Sequence, residues 1–378
     1  MSALRLEIDL DKISANAAML VSRLGSRNIS VTGVTKVALG CPAIARTLLE
    51  AGVCGLGDSR IENIERMRAA LGAGPSMTLI RSPMLSQAEN VVRSADISFN
   101  TELIVIKQLS LIAEAMGRTH GVVLMVELGD LREGIMPHDL DGVVREILSL
   151  PNISLMGIGT NLACLSGTSP DETNMAALSA LACTVEQNFD LVLEIVSGGN
   201  SANIEWAYAA PDRGRINNLR LGEAILFGRE ALHRTPIEGL HGDAFALVAE
   251  VIESKIKPTQ PWGAIAQNAF GEVGHVIDRG NISRAILALG RQDCDPSGLD
   301  PPNGMAILGA SSDHLVLDTG DHSPTVGDKQ RFGISYTTLL RAMTSPFVEK
   351  TMLTGSARQP AKANPIPRFV ATMRNTVL

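Results

Sequence analysis

Lys36 closes the apolar run of residues 29–34 in the stretch ISVTGVTKVALG. A lysine that ends a strand buried on both faces has its amine there for a purpose; otherwise it is a solvated loop residue. At the carboxyl end of a parallel barrel strand, that purpose is chemistry. Arg132 follows a second apolar run in VELGDLREG, SGGNS at 197–201 follows a third, and Arg220 precedes Gly222 and Glu223 in RLGEAILFG. In SGGNS the glycines let the backbone approach a ligand, and a serine hydroxyl with helix N-terminal amides can hold phosphate. The same residues would also make a flexible turn with a serine helix cap. No Walker A sequence is present and no GxGxxG follows the first run, so a nucleotide is not indicated. A Schiff-base lysine and a phosphate loop on one barrel face suggest pyridoxal phosphate.

Such residues need elements that carry them to one place. Short apolar runs occupy residues 29–34, 53–57, 77–80, 97–99, 122–128, 153–159, 191–196 and 224–227. Helical patterns lie between most of them, at 43–50, 62–70, 102–116, 140–150 and 172–187. Apolar strands alternating with helices imply parallel pairing with crossover helices. Eight such units predict an α/β fold, a (β/α)8 TIM barrel over residues 1–235, with a doubly wound open sheet as the competing arrangement. Residues 4–10 alternate, and Asp11 is expected to cap a helix over 12–24.

Beyond Gly228 the pattern changes. Residues 245–252, 284–289, 305–308 and 314–317 read as strands joined by turns, so 236–353 is expected to be a mostly β domain. Residues 354–378 carry Pro360, Pro365 and Pro367 and no acid, and read as an extended tail.

With 45% hydrophobic and 19% charged residues, a chain of 378 residues can bury a large core. A net charge of -7 and 3% aromatic residues argue against nucleic acid as a partner. Five cysteines without a CxxC pairing suit reduced thiols in a cytoplasmic protein. No apolar run is long enough to span a membrane, and the N-terminus does not read as a signal peptide.

Taken in order, the motifs resemble those of the alanine racemase family of pyridoxal-phosphate enzymes, and within it the alanine/ornithine racemase-like branch. The resemblance covers nearly the whole chain except the tail. LEIDLDKISANAAML looks like the family's opening motif, and VTKVALG matches the position of the cofactor-bearing lysine, which implies Lys36. VELGDLREG implies Arg132 as the partner of the cofactor's phenolic oxygen. GIGTNLACL matches a strand end where many members carry a ring-stacking histidine; here it is Asn161. SGGNSANIEWA implies Asn200 and Ser201 at the phosphate. RLGEAILFG implies Arg220 at the pyridine nitrogen, with the amides of Gly222 and Glu223 near phosphate. GISYTTLLRAM implies Tyr336 as a further phosphate ligand. An arginine stays protonated and cannot give its proton to the ring nitrogen, which favours returning the proton to Cα, the outcome called racemisation.

The resemblance implies a head-to-tail homodimer acting on a small amino acid, with the β domain of one subunit completing the other's site. There the chain departs from the family. Arg291 replaces the tyrosine that usually serves as second base, and Ser311-Ser312-Asp313 stands where CMD is common. Asp293, Cys294 and Ser312 remain open as the second base. Asp293 is also the expected contact, beside Arg291, for a distal substrate ammonium, which predicts ornithine or lysine over alanine. Two alternatives remain: a lyase of the D-threonine aldolase or D-serine dehydratase type on the same fold, and a non-catalytic cofactor-handling protein, whose relatives look like a bare barrel, so that the extra β domain speaks against it. The lyases carry a metal site, whereas His275, His314 and His322 stand isolated here, so no metal is expected.

Overall fold

The computed structural model describes residues 3–271 and 277–355. His275 and nearly all of the expected tail lie outside the described residues.

A first strand, β1 (Arg5–Asp9), leads into the helix Leu10–Gly25. Asp9 caps that helix, accepting from the Lys12 amide at 3.1 Å, so the cap lies two residues before the expected Asp11. Eight parallel strands follow: β2 (Ser30–Val34), β3 (Gly55–Asp58), β4 (Met77–Leu79), β5 (Ile97–Asn100), β6 (His120–Met125), β7 (Ile153–Gly159), β8 (Ile195–Ser197) and β9 (Asn218–Leu221). They pair in sequence order, and β9 closes onto β2, which makes a barrel rather than an open sheet. Phe99, Val123 and Met125 fill its interior, with Ile97, Met156 and Ile195 packed against them. Gly157 is required there: a Cβ would come within 1.8 Å of the Ile195 carbonyl oxygen across the β7–β8 pair.

The last barrel strand is not the expected run at 224–227. Those residues form the short helix Glu223–Phe227, and the strand is Asn218–Leu221. Its alternation hides Asn218 and Arg220, two polar residues that are both buried, so it does not read as apolar. Gly222 then ends it, and a run of good helix formers continues.

The second half builds an eight-stranded sheet. It contains β10 (Phe245–Pro258), β11 (Asn281–Leu287), β12 (Leu299–Asp300), β13 (Ala306–Ala310), β14 (Leu315–Asp318), β15 (Lys329–Ile334) and β16 (Glu349–Leu353). Its eighth member is β1, antiparallel to β10 and parallel to β16. A boundary at 235/236 therefore separates β1 from its own sheet. Between β15 and β16 the helix Tyr336–Thr344 packs over the turn that carries Lys36.

Candidate active site

Several barrel strands end near side chains that the barrel mouth can use. Just past the end of β2, Lys36–Ala38 make one tight turn. Leu39 and Gly40 follow with φ of 52° and 60°, and a Cβ on Gly40 would lie 2.7 Å from the Asn63 carbonyl oxygen. The turn is tied down from the neighbouring strand. Thr35 Oγ1 donates to Asp58 Oδ2 at 2.8 Å, and Asp58 Oδ1 accepts from Asn63 Nδ2 at 3.0 Å and from the Arg60 amide at 3.0 Å. Burial pushes the Asp58 carboxyl above its usual range despite these bonds.

After β8, the SGGNS loop closes on itself. Asn200 Oδ1 accepts from the Ala202 amide at 2.8 Å, and the Asn200 amide donates to Asn203 Oδ1 at 3.0 Å. Gly199 has φ of 146°, and a Cβ there would lie 2.1 Å from Asn203 Oδ1. The cap of this helical turn is thus Asn200, and the Ser201 hydroxyl instead accepts from the Ala224 amide at 3.1 Å. That bond joins the loop to the Gly222–Glu223 turn.

Arg220 lies on β9 and is 5% exposed. Its guanidinium donates to Ser197 Oγ at 2.6 Å and to the Thr160 carbonyl at 2.8 Å, and sits 5.0 Å from the Phe99 ring centroid. Burial pulls its pKa down to about 10, which still leaves a cation at neutral pH. Asn161 Oδ1 accepts from Asn200 Nδ2 at 3.1 Å, while the buried Asn161 Nδ2 has no partner. Past β6, Arg132 donates through Nε and Nη2 to both carboxylate oxygens of Glu133, which raises its pKa further. Tyr336 enters from the second half, held by the Ser335 cap of its helix, with Lys36 Nζ 5.9 Å from its ring centroid. Burial raises the Tyr336 pKa.

One cavity of about 670 Å³ is lined by all of these: Lys36, Arg132, Asn161, Asn200, Ser201, Arg220, Gly222, Glu223 and Tyr336. Every residue assigned to the cofactor from the sequence therefore meets at one place. The lining holds five cationic side chains (Lys36, Arg81, Arg132, Arg220, Arg234) and two carboxylates, Glu133 and Glu223. Such a surface suits an anionic ligand. The unpartnered amide of Asn161 asks for an acceptor from that ligand.

The residues proposed for the second base lie elsewhere. Asp293 is turned into its own domain, accepting from Ser345 Oγ at 3.0 Å and the Gly290 amide at 3.3 Å. At 6% exposure its carboxylate serves as a buried acceptor within its own domain. Cys294 is fully buried, and burial pushes its thiol up to about 12, which favours the protonated thiol. Ser312 is exposed, and Arg291 stacks over the Phe270 ring at 4.4 Å.

Sequence reasoning passed over Asp58 and Glu133. Asp58 closes β3, so a strand-end acid was an available signal there, whereas Glu133 lies in the loop beyond β6 beside Arg132 and gave none. Neither belongs to an obvious catalytic pair until the fold is closed.

The alanine racemase N-terminal domain model matches residues 8–230. A lysine racemase of Thermotoga maritima is 41% identical over 92% of this chain and 97% of its own length. An ornithine racemase of Acetoanaerobium sticklandii is 38% identical over 92% and 99%. Among solved structures, an alanine racemase from Bartonella henselae with covalently bound pyridoxal phosphate superposes with a TM-score of 0.71 at 18% identity, over 93% of this chain and all of that one. Barrel, cavity and near-full-length identity agree, and the chain belongs to the alanine racemase family.

Proposed function

We propose that this protein is a pyridoxal-phosphate-dependent racemase of a diamino acid, ornithine or lysine, working as a head-to-tail homodimer in the cytoplasm. One observation carries the cofactor reading: the Lys36 amine and the Arg132 and Arg220 guanidinia line one cavity with an unpartnered buried amide. Sequence identity to a lysine and an ornithine racemase supports the substrate class. Free cysteines suit a reducing compartment.

Lys36 would hold the cofactor, with Arg132, Asn161, Asn200, Ser201, Arg220 and Tyr336 around it and the Gly222–Glu223 turn beside the phosphate. When bound, pyridoxal phosphate withdraws electrons from the amino acid's Cα and so acidifies its proton. The Lys36 amine takes or returns a proton on one face of Cα. Arg220 is anchored by Ser197 and Thr160, so it presents a fixed positive charge. It donates hydrogen bonds without surrendering a proton. Asp58, through Thr35, fixes the turn from which Lys36 reaches in. The opposite face of Cα falls to the partner subunit, where Ser312 is the one of the three sequence candidates presented at the surface.

The 41% and 38% identity to a lysine and an ornithine racemase favours racemisation over the lyase reading. Purified protein incubated with L-amino acids in D2O should exchange the α-proton and accumulate the D-isomer, fastest with ornithine or lysine. Borohydride should fix the cofactor to the Lys36 peptide, and Lys36→Ala should abolish both. Exchange with none of the amino acids, or labelling of another lysine, overturns the reading.

A further inference from the structure

A diamino acid brings a second ammonium into a cavity already lined by five cationic side chains. Unpaired there, it would be repelled, so a carboxylate must meet it. Asp293 does not serve, because it is buried in its own domain and lines no part of this cavity. Among the described residues the lining offers Glu133 and Glu223 alone.

The two are not equivalent. Glu223 opens the helix that follows Gly222, and its neighbour Ala224 donates to Ser201 Oγ at 3.1 Å. It therefore belongs to the turn that shapes the anion-binding loop. Its carboxylate lies 3.7 Å from Arg234, and burial pushes its pKa up. Glu133 sits across the barrel mouth, after β6. Its side chain is 26% exposed, and each oxygen accepts one bond from Arg132. A carboxylate has about four acceptor sites, so roughly half remain for a further donor. The position is also rigid. Gly134 beside it has φ of 158°, and a Cβ there would lie 2.4 Å from the Glu127 amide nitrogen. The Glu127 amide in turn donates to the Ile135 carbonyl at 3.0 Å, so the loop is stitched to the end of β6.

We propose that Glu133 is the specificity-determining residue that receives the distal ammonium of the substrate. Arg132 bonds both of its oxygens and holds the carboxylate in place, while its remaining acceptor sites stay available for that ammonium. Alanine, or any amino acid with an apolar side chain, would leave those sites empty. This inference rests on the racemase reading and adds to it the residue that sets substrate class.

The test compares ornithine with norvaline, which has the same carbon chain and no distal amine. In the wild-type holoenzyme kcat/KM should favour ornithine. Glu133→Gln should lower the ornithine-to-norvaline ratio of kcat/KM at least tenfold, chiefly through the KM for ornithine. Calorimetry supplies a readout without turnover: α-methylornithine has no α-proton, and the wild-type holoenzyme should bind it at least tenfold more tightly than α-methylnorvaline. Glu133→Gln should erase that difference. An unchanged ratio overturns the proposal. So does an equal loss on both substrates, which would make Glu133 a support for Arg132 alone. Equal binding of the two α-methyl compounds to wild type overturns it whether or not the variant folds. Absence of α-proton exchange with every amino acid would instead sink the racemase reading, and the binding comparison would still decide Glu133.

Discussion

Thr35 is tethered to Asp58: its hydroxyl donates to the buried carboxylate at 2.8 Å, one residue before Lys36. The barrel thus fixes the backbone from which Lys36, the one cavity-lining lysine among the described residues, reaches in.

Asp58→Ala would leave Asn63 Nδ2 and the Arg60 amide without their acceptor and loosen Thr35. Stranding buried donors should cost about 2–3 kcal/mol in urea unfolding. Turnover should fall with it, because the lysine would lose its fixed base, while Asp58→Asn should recover part of both. Wild-type stability and turnover in Asp58→Ala would show that the tether positions nothing.

Arg220→Glu should change what the enzyme makes more than how it folds. A carboxylate in place of a permanent cation would favour a proton on the group it faces. The ratio of 2-oxo acid released to D-isomer formed should then rise at least tenfold. A milder variant, Arg220→Lys, keeps the charge but cannot bridge Ser197 Oγ and the Thr160 carbonyl as the guanidinium does. It should lose turnover without gaining the side product. The same product ratio in all three proteins would remove Arg220 from the chemistry.

His120 is 1% exposed and 2.7 Å from Ser98 Oγ, and burial drives its pKa down to about 4. The folded protein keeps it neutral, whereas the unfolded chain takes up a proton below its ordinary value of 6.5. Stability from this group is therefore whole above that value and drains away as pH falls towards 4, by about 1.4 kcal/mol per pH unit. Denaturant midpoints between pH 7 and pH 4.5 should fall more steeply for wild type than for His120→Gln. Parallel profiles would refute it.

Asp293→Ala should behave as a core defect. It strands the Ser345 hydroxyl and the Gly290 amide and should cost about 1–3 kcal/mol, with the order of preferred substrates preserved. A reversed substrate order in Asp293→Asn at unchanged stability would restore the residue to the site.

The cofactor cavity was legible because its residues lie in contiguous motifs at strand ends. Lys36, Arg132 and Asn200 each follow a strand whose apolar pattern locates them, and Arg220 lies in a contiguous RLGEAILFG motif. What escaped was set by distant contacts. Asp293 faces inward because Ser345, 52 residues on, supplies its donor. The strand carrying Arg220 was passed over because half of it is polar yet buried, and that burial exists only once the barrel closes. Glu133 gave no signal of its own beside Arg132, since adjacent side chains of opposite charge are common on loops.

The first strand has a consequence for how the molecule is assembled in time. Arg5 sits opposite Val248 in β10 and beside Glu349 in β16. At roughly 5–20 residues added per second, a ribosome needs tens of seconds to reach the second of these partners. β10 can pair with β1 earlier, but one edge of β1 stays open throughout that interval, until β16 is made and takes the place beside it. The sheet thus joins a strand made early to one made late.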